Sequence, residues 1–235
     1  MAPAGSNPKA MLPGIVLQHE PSGPPARFAA WLERRSIPYE VRRVWEDGPG
    51  AEPAQHAWVC SLGSDQTPGR PGAPAWVQEE IDFLRGALAA DVAVLGLCFG
   101  GQALAAAADA RIAAADPPEV GWLTIDSDDP SRVPRGPWLH FHYDQLVLPR
   151  DATELARSPA GTAAFRLGPH LGLQFHPEAT PEIAEGWAIT ERRTLARIGI
   201  DSARLAAEGR RRGAAAGAAA DQLFDAWWAE LPHAS

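Results

Sequence analysis

Short apolar runs alternate along this chain with longer stretches in which apolar residues recur at helical spacing. The run GIVLQH at 14–19, closed by a Pro/Gly cluster, predicts a buried strand. Phe28, Trp31 and Leu32 then fall on one face of a helix over 27–35, which Ser36–Pro38 stops. Residues 39–45 alternate as a strand, and 57–62 form another apolar run. A helix is predicted over 74–90, with Pro74 at its start and Trp76, Val77, Ile81, Phe83, Leu84 and Leu88 largely on one side. Residues 92–97 predict a further buried strand, followed by an alanine-rich helix over 101–110. Strand alternating with helix predicts an α/β fold with a mainly parallel central sheet flanked by helices.

The pattern changes between Arg111 and His176. Here GWLTID, PWLHFHYDQLVL, TELARS, AAFRLG and HLGLQFH are short alternating runs with no long helix among them. They predict a small antiparallel extension leading back to the parallel sheet. From Pro181 onward the chain is helical, rich in Ala, Arg and Glu, and ends in LFDAWWAEL. The loops at 46–56 and 67–74 are too short for domain linkers. The expected organisation is a flexible N-terminal tail (1–13), a main domain (14–200) and a C-terminal helical extension packed on it (201–235).

Charge and composition narrow the class. A net charge of −8 argues against a nucleic-acid or polyanion-binding surface, and Arg210–Arg212 reads as one solvated helical turn. An apolar fraction of 46% with nine tryptophans indicates a real core. No apolar segment approaches the roughly 20 residues of a membrane span. The polar stretch 1–13 has no signal-peptide core. Cys60 and Cys98 form no disulfide framework or zinc pattern. The expectation is a cytoplasmic protein with no membrane partner.

One cysteine stands where backbone freedom is smallest. VAVLGLCFGGQ (92–102) contains GLCFG, a glycine–x–nucleophile–x–glycine pattern directly after a buried strand. A strand turning sharply into a helix strains its central residue and requires small neighbours two positions away, here Gly96 and Gly100. It also places Cys98 at a helix N-terminus, where the dipole and free N–H groups favour a thiolate. The Phe99 N–H is positioned to meet a developing oxyanion. The plain alternative is an inert buried cysteine beside a glycine-rich turn.

A base is available in HLGLQFHPE (170–178). Leu171, Leu173 and Phe175 alternate as a strand, His176 stands at its end, and Pro177 breaks the ladder. Glu178, two residues on, points to the same side as His176 and can orient its ring. Open α/β sheets carry catalytic groups beyond the carboxyl ends of their strands, where both Cys98 and His176 are expected.

GLCFGGQ together with QFHPE resembles the two signature segments of the class I glutamine amidotransferases, a Cys-His-Glu family with a flavodoxin-like fold. The order of elements follows the family over about residues 14 to 190, and EVGW (119–122) resembles a segment of its stand-alone, GMP-synthase-glutaminase-like members. The resemblance implies Cys98 as nucleophile, His176 as general base and acid, and Glu178 as orienter. It implies Gln102 as a substrate contact. The family's Gly-Gly-Pro oxyanion loop is matched at SLGSD (61–65) by Gly63, with Ser64 for the second glycine and Asp65 for the proline. The family's His-x-Asp segment is matched by His142, Tyr143 and Asp144 in FHYDQL, whose plain reading is a surface hairpin.

The implied reaction is hydrolysis of the glutamine side-chain amide through a γ-glutamyl thioester, with no cofactor. The oxyanion would rest on Phe99 and the Gly63/Ser64 loop. No phosphate-binding loop is present, so the partner is expected to be a separate synthetase or ligase that accepts ammonia. The alternatives are a stand-alone γ-glutamyl amide or peptide hydrolase on the same site, and a non-enzymatic binding relative.

Other candidates carry less. His19 and Glu20 either line the pocket mouth or form a turn pair. His140 and His142 share a face, but with no third ligand at a sensible spacing no metal is assigned. Cys60 is packing. Asp126, Asp128 and Asp129 lack the glycine and glutamate of a calcium loop. Trp227 and Trp228 anchor the tail, with an oligomer contact as the alternative.

Overall fold

The structure, a computed structural model, describes residues 12–231, so the tail read at 1–13 lies outside the described residues up to Met11. The elements follow as β1 (Gly14–Gln18), α1 (Ala26–Arg34), β2 (Tyr39–Arg43), α2 (Val44–Asp47), β3 (Val59–Ser61), α3 (Ala75–Ala89), β4 (Val94–Leu97) and α4 (Phe99–Ala107). Then come β5 (Ile112–Leu123), β6 (Asp126–Ser127), β7 (Trp138–Leu146), β8 (Thr153–Ser158), β9 (Gly161–Leu167) and β10 (His170–Leu173). The helices α5 (Pro181–Thr190), α6 (Arg192–Arg197) and α7 (Ser202–Ala229) complete the chain.

The main sheet has eight strands in the order β2-β1-β3-β4-β10-β9-β8-β6. The first five run parallel and the last three antiparallel to their neighbours. The predicted α/β fold with a mainly parallel sheet is the one observed. Strand alternation divides the core. Val16, Cys60, Leu95 and Leu97 pack with Phe28, Trp31 and Leu32 of α1 and with Leu223, Phe224 and Trp227 of α7. Ile15, Leu17, Val59 and Val94 face the other way, onto Leu84 of α3 and Phe99 and Leu104 of α4. Cys60 is fully buried in the first layer, and burial pushes its thiol well above the ordinary range.

Three details depart from the sequence pattern. The strand expected over 39–45 ends at Arg43, because Val44–Asp47 winds into one helical turn that Gly48 closes at φ 63°. The antiparallel region is two structures: β9, β8 and β6 extend the main sheet, while β5 and β7 form a separate ribbon. The ribbon's first strand starts at Ile112 and crosses Pro117–Pro118, which a ladder tolerates only at an irregularity. The register accordingly shifts between Ala114 and Glu119.

The long helix α7 starts on the Asp201 side chain, which accepts from the Ala203 N–H at 2.9 Å. Two glycines let it pass close to the domain: a Cβ at Gly213 would lie 2.5 Å from Pro181 Cγ, and one at Gly209 3.1 Å from Trp122 Nε1. Phe224 packs on Phe28 with ring centroids 5.0 Å apart, and Trp227 on Trp58 at 5.7 Å. Asp225 accepts the Trp31 Nε1–H at 2.9 Å and pairs with Arg35. Among the described residues no helix is long and apolar enough to cross a membrane.

The aromatic contact between α7 and α1 generates a direct expectation. Phe224→Ala should destabilise the protein by about 3–5 kcal/mol, the usual cost of truncating a fully buried phenylalanine. Urea unfolding followed by tryptophan fluorescence measures this, and a midpoint equal to wild type would show that α7 does not contribute to the core.

Candidate active site

The turn from β4 into α4 is built by close backbone approach. Cys98 sits at φ 51° and ψ −105°, a conformation costly for any residue with a side chain. Its N–H donates to Leu173 O of β10 at 2.8 Å. The neighbouring glycines have no room for a methyl group. A Cβ at Gly96 would lie 2.5 Å from Gly100 O, one at Gly100 2.1 Å from Ser61 O, and one at Gly101 2.4 Å from Leu173 O. Helix α4 begins at Phe99, so the Phe99 N–H is among the first-turn donors that have no partner within the helix.

His176 lies three residues past the end of β10, which stops earlier than the alternation suggested because a single bridge to Leu139 takes over there. Its backbone N–H donates to Leu139 O at 2.9 Å. The ring Nδ1 is 2.7 Å from Glu178 Oε1, and the ring and the Cys98 side chain both lie against Gly63. Burial works against the imidazolium. The Cys98 sulfur and then the Glu178 carboxylate outweigh it, so His176 is pushed up to about 10. Trp187 of α5 packs edge-on against the imidazole at 4.9 Å and donates its Nε1–H to Ser22 O at 2.9 Å. This ties the loop after β1 across the ring.

The 61–65 loop reaches the same place from β3. A Cβ at Gly63 would lie 2.6 Å from His176 Cε1 and 3.7 Å from Cys98 Cβ, so only glycine fits against the pair. The Ser64 hydroxyl accepts the Gln66 N–H at 3.1 Å. Gly63 O is 3.0 Å from His19 Nδ1, and since a carbonyl only accepts, Nδ1 carries the hydrogen. The other ring nitrogen of His19 is 2.7 Å from Glu80 Oε2, and Glu80 Oε1 accepts the Ser61 hydroxyl at 2.6 Å. His19 is held between Trp76 and Phe99 at 5.2 and 4.8 Å. A buried polar chain therefore runs from α3 through His19 to the loop beside Cys98.

The remaining sequence candidates divide. Gln102 is buried, with its Nε2 donating to Asp144 O and Gln174 Oε1, both at 3.3 Å. The Asp144 carboxylate accepts Thr67 Oγ1–H at 2.6 Å and pairs with Arg70 at 3.0 Å, which fastens β7 to the 61–70 segment. The His142 ring turns inward to Asp144 O and Glu119. Tyr143 lies on the other strand face with Phe141, which packs on Trp187.

Two participants had no assigned role in the sequence. Gln174 directs its Nε2 to Cys98 Sγ at 3.8 Å and its Oε1 to the Leu146 N–H at 3.3 Å. Its signal was available, since it stands two residues before His176 in the same segment. Glu80 had a signal as well: it is a carboxylate on the apolar face of α3 between Val77 and Leu84, and it is fully buried.

Residues 66–186 match the model of the family "Glutamine amidotransferase class-I". Among curated proteins, the chain is similar to the GMP synthase (glutamine-hydrolyzing) of Psychrobacter arcticus, 33% identical over 114 residues, covering 43% of this chain and 21% of that protein. It is also similar to one of the subunits of the GMP synthase (glutamine-hydrolyzing) of Ignicoccus hospitalis, 29% identical over 119 residues, covering 46% of this chain and 63% of that protein. The chain thus spans less than two thirds of either relative. Among solved structures it resembles a glutamine amidotransferase from Methylobacillus flagellatus, with a TM-score of 0.83 and 23% identity over 93% of this chain and 95% of that one. A glutamine amidotransferase from Thermotoga maritima gives a TM-score of 0.81 and 18% identity over 92% and 97%. At these identities the two structures show a shared fold.

Two expectations follow from the geometry. In ¹⁵N-imidazole NMR, His176 should stay doubly protonated from about pH 6 to 9 and lose its proton only as pH rises through about 10. Cys98→Ala removes the largest upward influence and should lower that titration; an unchanged titration would break the assigned coupling. Glu80→Ala leaves the Ser61 hydroxyl and His19 Nε2 without their partner in the interior and should cost about 3–5 kcal/mol in urea unfolding.

Proposed function

The chain belongs to the class-I glutamine amidotransferase family, and from that membership we propose that it hydrolyses the side-chain amide of glutamine, with Cys98, His176 and Glu178 as its catalytic groups. The observation that carries the reading is the linked set at the elbow. Cys98 is at positive φ, its side chain and the His176 ring lie together against Gly63, and His176 Nδ1 is 2.7 Å from Glu178.

The steps follow from where the proton sits. Cys98 attacks the amide carbon as a thiolate, forming the C–S bond, while the amide oxygen takes the negative charge. The Phe99 N–H and the N–H groups of the Gly63–Ser64 loop receive that oxyanion. His176, protonated at the start, gives its proton to the departing nitrogen, and ammonia leaves. A γ-glutamyl thioester remains. The sulfur is now uncharged, so its upward influence on the imidazole is gone and burial counts for more. His176 is then neutral and takes a proton from water, which attacks the thioester and releases glutamate. Glu178 holds one ring orientation throughout.

Gln102 and Asp144 are the residues we assign to the amino-acid end of the substrate, with His142 supporting Asp144 from behind; Tyr143, on the opposite strand face, is assigned no substrate contact. The names of the curated relatives suggest a nucleotide synthetase as the acceptor of ammonia, carried on a separate chain. The departure at Ser64 and Asp65 favours testing a second substrate class, other γ-glutamyl amides.

Incubation with glutamine should release glutamate and ammonia in equal amounts. Cys98→Ala should abolish this, and Glu178→Gln should lower kcat on the order of 10³–10⁴-fold. Gly63→Ala, which drives a methyl group into His176, should be nearly inactive while remaining folded. The kcat/KM profile should fall as pH rises through about 10, where His176 loses its proton. Turnover of γ-glutamyl amides with glutamine inert would replace the substrate. Unchanged activity in Cys98→Ala would discard the mechanism.

A further inference from the structure

The ribbon β5–β7 buries a second cluster of chemical groups, apart from the proposed catalytic set. Antiparallel pairing sets Glu119 opposite His142 and Gly121 opposite His140, so Glu119, His140 and His142 share one strand face. The three side chains are almost completely buried. Glu119 Oε2 is 3.2 Å from His140 Nδ1 and 3.2 Å from His142 Nε2, and the two nitrogens are 3.3 Å apart. The sequence offered the two histidines without a third ligand; strand register supplies it.

We propose that Glu119, His140 and His142 form a binding site for one divalent metal ion of the zinc type, with a fourth position left to water. Three arguments support it. The first is size. Zinc bonds of about 2.0–2.1 Å in a tetrahedron separate neighbouring ligand atoms by about 3.3–3.4 Å, and the observed triangle has this edge.

The second is hydrogen count. His142 Nδ1 is 3.0 Å from Asp144 O, a carbonyl that only accepts, so Nδ1 carries a hydrogen, and in the neutral ring the Nε2 lone pair faces the cluster. Glu119 Oε2 and His142 Nε2 are then two acceptors at 3.2 Å. A neutral His140 supplies one hydrogen, and one hydrogen does not satisfy both. Among the described residues Glu119 Oε2 indeed has no hydrogen-bond partner, although it is buried. A cation at the centre takes all three converging lone pairs.

The third is the support around the ligands. A metal-bound histidine commonly donates its other N–H to a carbonyl, as His142 does to Asp144. Glu119 is fixed by its second oxygen, which accepts the Ala160 N–H at 3.1 Å. Two nitrogens and one carboxylate oxygen suit zinc and its borderline neighbours better than calcium or magnesium. The ion would pin the ribbon to the turn between β8 and β9. It would also fix the Asp144 carbonyl that receives Gln102 Nε2 at 3.3 Å.

The test is metal content, independent of any turnover. Full-length protein is stripped with chelator, checked for native circular dichroism, equilibrated with zinc, and assayed by plasma mass spectrometry. About one ion per chain is expected, retained in Cys98→Ala, and Glu119→Gln and His142→Gln should each weaken binding by more than about 100-fold. Cobalt-loaded wild type should show tetrahedral visible bands without a thiolate charge-transfer band, which decides the matter if those variants fail to fold. Native stripped protein that takes up no zinc or cobalt overturns the proposal. So does binding that is lost in Cys98→Ala, a thiolate charge-transfer band, or equal affinity in folded ligand variants.

Discussion

The structure depends on one tight backbone crossing. Where β4 turns into α4, the main chains of β3, β10 and α4 approach so closely that methyl groups at Gly96, Gly100 and Gly101 would overlap backbone oxygens at 2.1–2.5 Å. That crowding holds Cys98 at φ 51°, a conformation the isolated chain would leave. The N–H of Cys98 to Leu173 and of Gly100 to Leu62 tie the turn to both neighbouring strands. The strain at Cys98 is therefore held by the buried centre of the sheet.

Polar groups then converge on this turn from separate elements. The Ser61–Glu80–His19 chain reaches it through Gly63 O, from α3 and the end of β1. Gln174 links Cys98, Gln102 and the Leu146 N–H from the end of β10. None of the side-chain nitrogens and oxygens of these two chains is among the described buried atoms without a partner, and such an atom would cost about 1–3 kcal/mol. The cluster at Glu119, His140 and His142 departs from this pattern, with Glu119 Oε2 buried and without a hydrogen-bond partner.

Some of the site was legible in the residues alone. GLCFG announces a strand-to-helix turn because its glycines are a local steric requirement, and the elbow is where the motif places it. Glu178 beside His176 was legible because two residues of extended chain bring side chains to one side. Glu80 and His19 were harder, because they meet across 61 residues through the packing of α3 on the sheet. The strand after Arg111 was hidden by Pro117–Pro118, since a proline pair argues against a ladder unless the register shifts.

The sequence by itself determined the alternating order of elements, the mainly parallel sheet, the strained cysteine and the His-Pro-Glu turn. All of these rest on interactions within a few residues or on simple periodicity. Tertiary structure decided which distant groups meet. The pairing of β5 with β7 places Glu119 against two histidines, and the seat of Gly63 leaves space only for His176. Those contacts depend on register and on helix docking to within an ångström. Such distances are set by the packing of the whole core, and no local pattern of residues encodes them.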